Sequence, residues 1–247
     1  MTGTAMSEPP DGWRGRVALV TGGHGAIGQA VAGDLAGRGV TVHLADLSAS
    51  REVRHGISHT LDVGDETAVA RLVADILAQH GTIDFLVHCA GVFTSRPFAQ
   101  IGRHWQHTLR ANLTSAFLCL REVLPTMRAR RFGAVVLVSS MLARTGAVGA
   151  AHYAASKAGL LGLARSAALE NADHGVRVNT VSPGVTDTPQ PREHHSEQDL
   201  RRLAEAIPLG RIATTTDVAD AVSFLLSPAS SYLTGQDIRL SGGRALW

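Results

Sequence analysis

Short apolar runs rich in Val, Ile and Leu alternate along this chain with longer stretches whose apolar positions recur at helical spacing. Residues 17–20 predict a buried strand that ends in Thr21-Gly22-Gly23-His24-Gly25-Ala26-Ile27-Gly28. A helix follows to about Arg38, with Gly39 in the C-terminal capping role. Residues 40–45 predict the second strand, closing on Asp46, and residues 57–61 the third, closing on Asp62. A helix over 65–80 stops at Gly81, and residues 83–88 form the fourth strand, leading into Cys89-Ala90-Gly91. Residues 103–131 read as one long helix in which Pro125 marks a kink or late break. The fifth strand, 134–138, ends at Ser139-Ser140; a second long helix covers 151–173, and the sixth strand, 176–181, runs towards Pro183-Gly184. A polar stretch from Thr186 to about Asp199 precedes a short helix over 200–206. Thr216 is expected to cap a helix over 217–226, and residues 237–240 make the seventh strand.

Strands alternating with helices at about 30 residues per unit imply βαβ crossovers. The expected fold is α/β: a Rossmann-type, doubly wound, seven-stranded parallel sheet with helices on both faces, in a single domain over residues 14–247. Residues 1–13 carry a Pro9-Pro10 pair and neither a basic nor an apolar block, so they read as a flexible leader rather than a signal peptide.

Composition narrows the function. The 247 residues carry 23 Lys and Arg against 21 Asp and Glu, interleaved, for a net charge of +2. Despite an isoelectric point near 8.8, no basic stripe points to nucleic acid, and at 4% aromatics there are no stacking platforms. Mean hydropathy is +0.07 and no apolar run reaches the roughly 18 residues of a membrane span, so no membrane partner is expected and the cytoplasm is the expected setting. Cys89 and Cys119 lie in apolar runs and read as reduced core residues. His104 with His107, and His194 with His195, have no Cys or carboxylate spacing that would make a metal site, so no metal is expected.

Two features carry chemistry. The glycine-rich turn follows a strand and opens a helix, the setting in which free N–H groups receive a pyrophosphate. Asp46 ends the second strand, where a carboxylate accepts both hydroxyls of an adenosine ribose and repels a 2′-phosphate, so NAD is favoured over NADP. Arg51 and Arg54 keep NADP open. Asp62, ending the next strand, is placed to accept from an adenine amino group or to cap the following helix. The second feature is Lys157, the only lysine in a chain that otherwise uses arginine, four residues after Tyr153, one of two tyrosines. That spacing puts both on one helix face. A compact ammonium whose pKa responds to burial does what a guanidinium cannot. Ser140, at the end of the fifth strand, shares the crevice with them, and Asn112 lies inside the preceding long helix.

From Arg16 to Gly243 the chain resembles the short-chain dehydrogenase/reductase family. The matches are Thr21-Gly22…Gly28, Asp62, Ala90-Gly91, Asn112, Ser140, Tyr153…Lys157 and Pro183-Gly184…Thr188. Two positions depart: Ala26 replaces the middle glycine of the turn, and Cys89 replaces an asparagine whose amide braces the central strands. The resemblance implies catalysis by Asn112, Ser140, Tyr153 and Lys157. Tyr153 is the acid/base and needs a depressed pKa; Lys157 supplies charge and holds the nicotinamide ribose; Ser140 bonds the substrate oxygen; Asn112 anchors a water that relays the proton. It also implies a cofactor held by Gly22, His24, Gly25, Ala26 and Ile27 at the turn and by Asp46, Leu47, Asp62 and Val63 beside it. Cys89, Ala90 and Gly91, then Tyr153 and Lys157, and finally Pro183, Gly184, Val185, Thr186 and Thr188 complete that set.

Within the family, the short 46–62 segment, 181–188 and 207–213 are similar to 2,3-dihydro-2,3-dihydroxybenzoate and dihydro-hydroxyanthranilate dehydrogenases of secondary metabolism. Such a substrate carboxylate calls for an arginine, Arg144 or Arg192, with Ser140, Leu142, Tyr153, Gly184 and Gln190 completing the substrate set under a lid over 186–206. The alternative is a general secondary-alcohol dehydrogenase or ketoreductase of hydroxybutyrate or polyol type. A dinucleotide-sensing protein without chemistry is disfavoured because all four catalytic residues are present. Leu160, Leu161 and Leu163 suggest apolar surface to spare on the long helices, and the resemblance implies a homotetramer or homodimer, to which the 244–247 tail adds a second interface.

Overall fold

Seven strands form: β1 (Val17–Thr21), β2 (Thr41–Asp46), β3 (Ile57–Thr60), β4 (Phe85–His88), β5 (Gly133–Val138), β6 (Val176–Pro183) and β7 (Asp237–Leu240). They belong to a computed structural model that describes residues 12–48, 55–194 and 196–245. Residues 1–11 of the expected leader, Arg51, Arg54, His195 and the last two residues of the tail lie outside the described residues. All neighbours pair in parallel in the order β3-β2-β1-β4-β5-β6-β7. The chain reverses its winding between β1 and β4, and a crevice opens beyond their carboxyl ends.

Alternation along each strand divides the core. Leu19, Leu86, Val135 and Leu137 face one way, against α2 (Glu66–His80), α4 (Ser115–Arg130) and α6 (Ala151–Asn171). Val20, Phe85, Val87 and Val136 face α1 (Ala26–Gly37) and α9 (Thr215–Leu226) on the other side. Strands buried on both faces explain the unbroken apolar runs read from the sequence.

Several local expectations change. The 103–131 helix is built from α3 (His104–Leu109), a π-helical turn over Arg110–Thr114 and α4. Pro125 sits inside α4 without ending it; its missing N–H removes one rung while flanking turns hold. The cap of α9 is Thr214, not Thr216: Thr214 accepts from Asp217 N, and the Asp217 carboxylate accepts from Thr214 N, a reciprocal box out of Thr216's reach. The polar stretch after Thr186 is largely helical, as α7 (Pro189–His194) and α8 (Glu197–Glu205), because Ser196 and Asp199 form a second such box. Trp13, placed in the leader, is 3% exposed and packs on Phe85 at 5.4 Å. Leu160 and Leu161 are buried in their own subunit and Leu163 packs against that core, so they are not spare apolar surface. The exposed apolar side chains of the long helices include Trp105, Phe117 and Leu169.

Among the described residues no group of three His, Cys, Asp or Glu is arranged to hold a metal. His43 does meet two other histidines, with Nδ1 2.9 Å from His59 and Nε2 3.0 Å from His80. Both of its nitrogens are used, in opposite directions, so no three lone pairs converge. Burial, then the fields of His59 and His80, push His43 from 6.5 down to about 4. The unfolded chain binds this proton at higher pH than the folded chain, so stability is full above about pH 6.5 and drains away as pH falls towards 4. The melting temperature should therefore drop between about pH 7 and pH 5 and the drop should shrink in His43→Phe; an unchanged slope in that variant would place the acid sensitivity elsewhere.

Candidate active site

The glycine turn owes its shape to contacts that a side chain would block. A Cβ on Gly22, which has φ +63°, would lie 2.7 Å from Ala90 N, and one on Gly28 would lie 2.2 Å from Gly22 O. Ala26 opens α1, and Arg131 is the one non-glycine at positive φ among the described residues, so the departure from glycine at 26 costs no strain. Gly25 caps α1 without a side-chain acceptor, and no acid occupies the first turn. The free N–H groups and positive end of that helix fit a pyrophosphate.

Around this turn, Asp46 accepts from His24 N at 3.0 Å through Oδ2 and from Ser48 N and Oγ through Oδ1. The His24 ring turns away to the β2–β3 side, bonding Ser48 O at 2.7 Å and Ser58 Oγ at 3.0 Å, so its backbone rather than its ring lines the turn. Leu47 projects into solvent beyond β2 and Val63 is buried. Asp62 accepts from Gly64 N and pairs with Arg110 at 2.8 Å, while Asp65 caps α2. A carboxylate so engaged has fewer lone pairs for an adenine than expected.

On the opposite side of the crevice the four catalytic candidates converge. Lys157 Nζ donates to Val138 O at 2.8 Å, and Ser139 Oγ donates to Lys157 O at 2.9 Å, so helix α6 is clasped to the end of β5 at both ends of one residue. Gly91 makes room for the ammonium: a Cβ there would be 3.2 Å from both Lys157 Nζ and Asn112 Oδ1. Ser140 Oγ accepts from Leu142 N, which leaves its hydroxyl hydrogen to turn towards Tyr153, whose anion it favours. Phe93 stands edge-on to Tyr153 at 5.0 Å.

The electrostatics differ from the expectation of a depressed tyrosine. Burial pushes the Tyr153 phenol up, and the Ser140 hydrogen bond only partly opposes it. Burial pushes Lys157 down to about 8. Its ammonium is 5.9 Å from the centroid of the Tyr153 ring and is committed to Val138, so protein charge alone leaves Tyr153 protonated. Asn112 also departs from its assigned role. Its side chain is spent: Oδ1 accepts from Val92 N at 2.7 Å, and Nδ2 donates to Val92 O and to Ser156 Oγ. Only its main-chain carbonyl, in the π turn, is left for a water.

Burial raises the Cys89 and Cys119 thiols to about 12, in keeping with reduced core residues. Gly184 N donates to Leu240 O, and Thr186 is buried with its hydroxyl on Gly184 O, which fixes the backbone from Pro183 through Val185 towards Thr188.

Both expected carboxylate-binding arginines already have acidic partners. Arg144 Nε donates to Asp237 Oδ2 at 3.1 Å, and Asp237 is held by Thr180 and Ser182. Arg192, on α7 with Gln190, is shared between Asp187 and Glu197. Sequence reasoning missed the loop after Gly91. Arg96 N donates to Gly149 O at 2.8 Å, and Thr94 bonds His152, the neighbour of Tyr153, at 3.0 Å. The Arg96 guanidinium meets Ser95 O and has no acidic partner among the described residues. Its field and that of His104, after burial, hold His152 below its ordinary value. A basic residue shortly after Ala90-Gly91 was the signal available.

Residues 23–245 match the family model described as enoyl-(acyl carrier protein) reductase. The chain is similar to an acetoacetyl-CoA reductase of Allochromatium vinosum, 36% identical over 242 residues that cover 92% of this chain and 98% of that protein. It is similar to a cis-4-hydroxycyclohexanecarboxylate dehydrogenase of Sinomonas cyclohexanicum, 37% identical over 240 residues covering 92% and 96%. An NAD+-bound xylitol dehydrogenase structure superposes with a TM-score of 0.87 at 29% identity, covering 94% of this chain and 99% of that one.

Tyr153→Phe should lower kcat by roughly 10²-fold or more, the usual contribution of a general acid/base, with nucleotide affinity kept. More than a few percent residual turnover would exclude Tyr153 as the proton-transfer group. Lys157→Arg should fail as badly as Lys157→Ala in the same assay, because a guanidinium fork does not fit between Val138 and Gly91; rescue by arginine would show that charge alone suffices.

Proposed function

The chain belongs to the short-chain dehydrogenase/reductase family, and on that premise we propose that it is an NAD-dependent dehydrogenase of a cyclic secondary alcohol that carries a carboxylate. It is an oxidoreductase acting on a secondary alcohol or ketone with a nicotinamide cofactor. The observation that carries the reaction is the convergence of Ser140 and Tyr153, the serine favouring the tyrosine's anion, with Lys157 seated on Val138.

The nicotinamide, when bound, supplies the hydride acceptor or donor and, oxidised, a positive charge that favours the phenolate. Tyr153 takes the alcohol proton as the hydride leaves carbon, and returns it in the reverse direction. Ser140, its oxygen occupied by Leu142 N–H, donates to the substrate oxygen and holds it against Tyr153. Lys157 holds positive charge beneath both and is placed to bind ribose hydroxyls.

Asp46 supports NAD over NADP. Its carboxylate ends β2 beside the turn, and its remaining lone pairs suit ribose hydroxyls while repelling a phosphate. Arg96 supports the carboxylate. It is tied by its backbone to the Ser140–Tyr153 loop, and among the described residues its guanidinium lacks the acidic partner that Arg144 and Arg192 have. The name of the cyclohexanecarboxylate relative points to the same substrate class. A dihydrodiol or dihydro-hydroxyanthranilate carboxylate, and with it a place in secondary metabolism, is the narrower form of the proposal. A second reading, reduction of a 3-ketoacyl thioester, is favoured by the acetoacetyl-CoA reductase relative. A homodimer or homotetramer through α4 and α6 would cover Phe117 and Leu169.

Turnover of a cyclic hydroxy acid should exceed that of its neutral cyclic alcohol at low concentration. Arg96→Gln should raise KM for the acid by roughly tenfold, as for a lost charge-assisted hydrogen bond, and leave kcat on the neutral alcohol unchanged. Equal KM values for acid and alcohol, with faster turnover of acetoacetyl-CoA and reduced nucleotide, would favour the second reading. Asp46→Ser should narrow the preference for NAD over NADP, and no change would remove Asp46 as its cause.

A further inference from the structure

His88 has no part in the chemistry above, yet it is fully buried between the nucleotide turn and the π turn. Its Nδ1 lies 2.8 Å from Thr21 Oγ1 and its Nε2 lies 3.2 Å from Ser115 Oγ. The hydrogens in this chain can be assigned. Ser115 has one hydroxyl hydrogen, and it goes to Ala111 O at 2.7 Å. The Ser115 oxygen therefore accepts from His88, which puts a proton on Nε2. The main-chain carbonyl of Asn112, next to Ala111, acts on the same ring and favours a proton there. At the other end Thr21 Oγ1 accepts from Ala90 N at 3.4 Å and sends its own hydrogen to Nδ1. Burial beside the Lys157 ammonium holds the ring far below its ordinary value, at about 3, so a second proton on Nδ1 is excluded near neutrality. The donors thus run one way, from Ala90 through Thr21, His88 and Ser115 to Ala111.

We propose that His88 is a positioning residue: as the neutral Nε2–H tautomer it ties the nucleotide turn to the π turn and fixes the Asn112 carbonyl in the proton path. Several observations require such a tie. The π turn gives up regular helical bonding, so its carbonyls need outside partners to hold a direction. Asn112 in turn positions Val92 through two hydrogen bonds and reaches α6 through Ser156, which bonds Tyr153 O at 2.7 Å. Cys89, where an amide would otherwise brace the central strands, cannot do this, and His88 next to it does. The inference rests on the dehydrogenase reading for its kinetic consequence and on geometry alone for the tautomer.

Two substitutions separate positioning from filling space. His88→Gln keeps a donor at the ε position, facing Ser115 and Asn112, and gives up the acceptor facing Thr21. His88→Asn keeps a polar group at the δ position and gives up the ε donor. We expect the glutamine variant to retain kcat within about threefold, and the asparagine variant to lose about tenfold to a hundredfold, the scale of an ångström misplacement. Both should bind reduced nucleotide within about twofold of the unaltered chain. Equal losses in the two, or a loss expressed wholly in nucleotide affinity, would overturn the proposal. Ser115→Ala cuts the same link without touching the ring and should lower kcat as well; an unchanged kcat there would count against it. Imidazole 15N shifts should report the neutral Nε2–H tautomer at about neutral pH, and an Nδ1–H ring or an imidazolium would refute the assignment. If the unaltered chain showed that tautomer but oxidised no alcohol, the dehydrogenase reading would fail by itself. The amide resonances of residues 110–114, expected to move in His88→Asn and not in His88→Gln, would then decide the positioning role.

Discussion

The site depends on one buried ammonium. Lys157 gives its charge to the carbonyl of Val138 at the end of β5, and its own carbonyl receives the Ser139 hydroxyl. A lone cation taken out of water is tolerable only when partners and field compensate for lost hydration. Gly91 provides the space, β5 the acceptor, and α6 the stem that aligns Lys157 with Tyr153 one turn earlier. Every other Lys or Arg position in the chain is arginine, whereas this one admits a point charge and no fork.

Around that ammonium the groups are held short of reaction. The phenol of Tyr153 is raised by burial, and nothing in the protein alone brings it down far enough to ionise. The geometry is prepared in advance, with Ser140 oriented by Leu142 and Phe93 set against the Tyr153 ring. An oxidised nicotinamide, when bound, would supply positive charge beside the phenol, and Ser140 and Lys157 would then act with it to favour the anion that accepts a proton.

The substrate side is organised by competition among arginines. Arg144 and Arg192 stand near the right loops, but carboxylates of the same chain claim both. Arg96 escapes: its loop is tied to Gly149 by a backbone hydrogen bond, and its guanidinium pairs with no acid among the described residues. Which guanidinium is free to meet an anion is thus set by what lies across space, and sequence distance from Tyr153 carries little information about it.

Much of the fold was legible in the sequence because its determinants are local. Short unbroken apolar runs marked all seven strands and helical spacing most of the helices between them, and strand–helix alternation announced a parallel sheet. Thr21-Gly22…Gly28, Asp46 and the Tyr153–Lys157 spacing were legible because backbone sterics and a helical turn act over a few residues. What only the tertiary structure decided involves groups brought together from distant segments. Thr214 outcompeted Thr216 because its partner geometry closed a box, and the long helix departs from regularity around Asn112, whose side chain is bound by Val92 and Ser156 from other segments. Leu160 and Leu161 looked spare along the chain and are buried in space, Leu160 against a sheet face whose strands no helical period records. Local sterics are written in neighbouring residues; hydrogen-bond competition and burial are settled between distant ones.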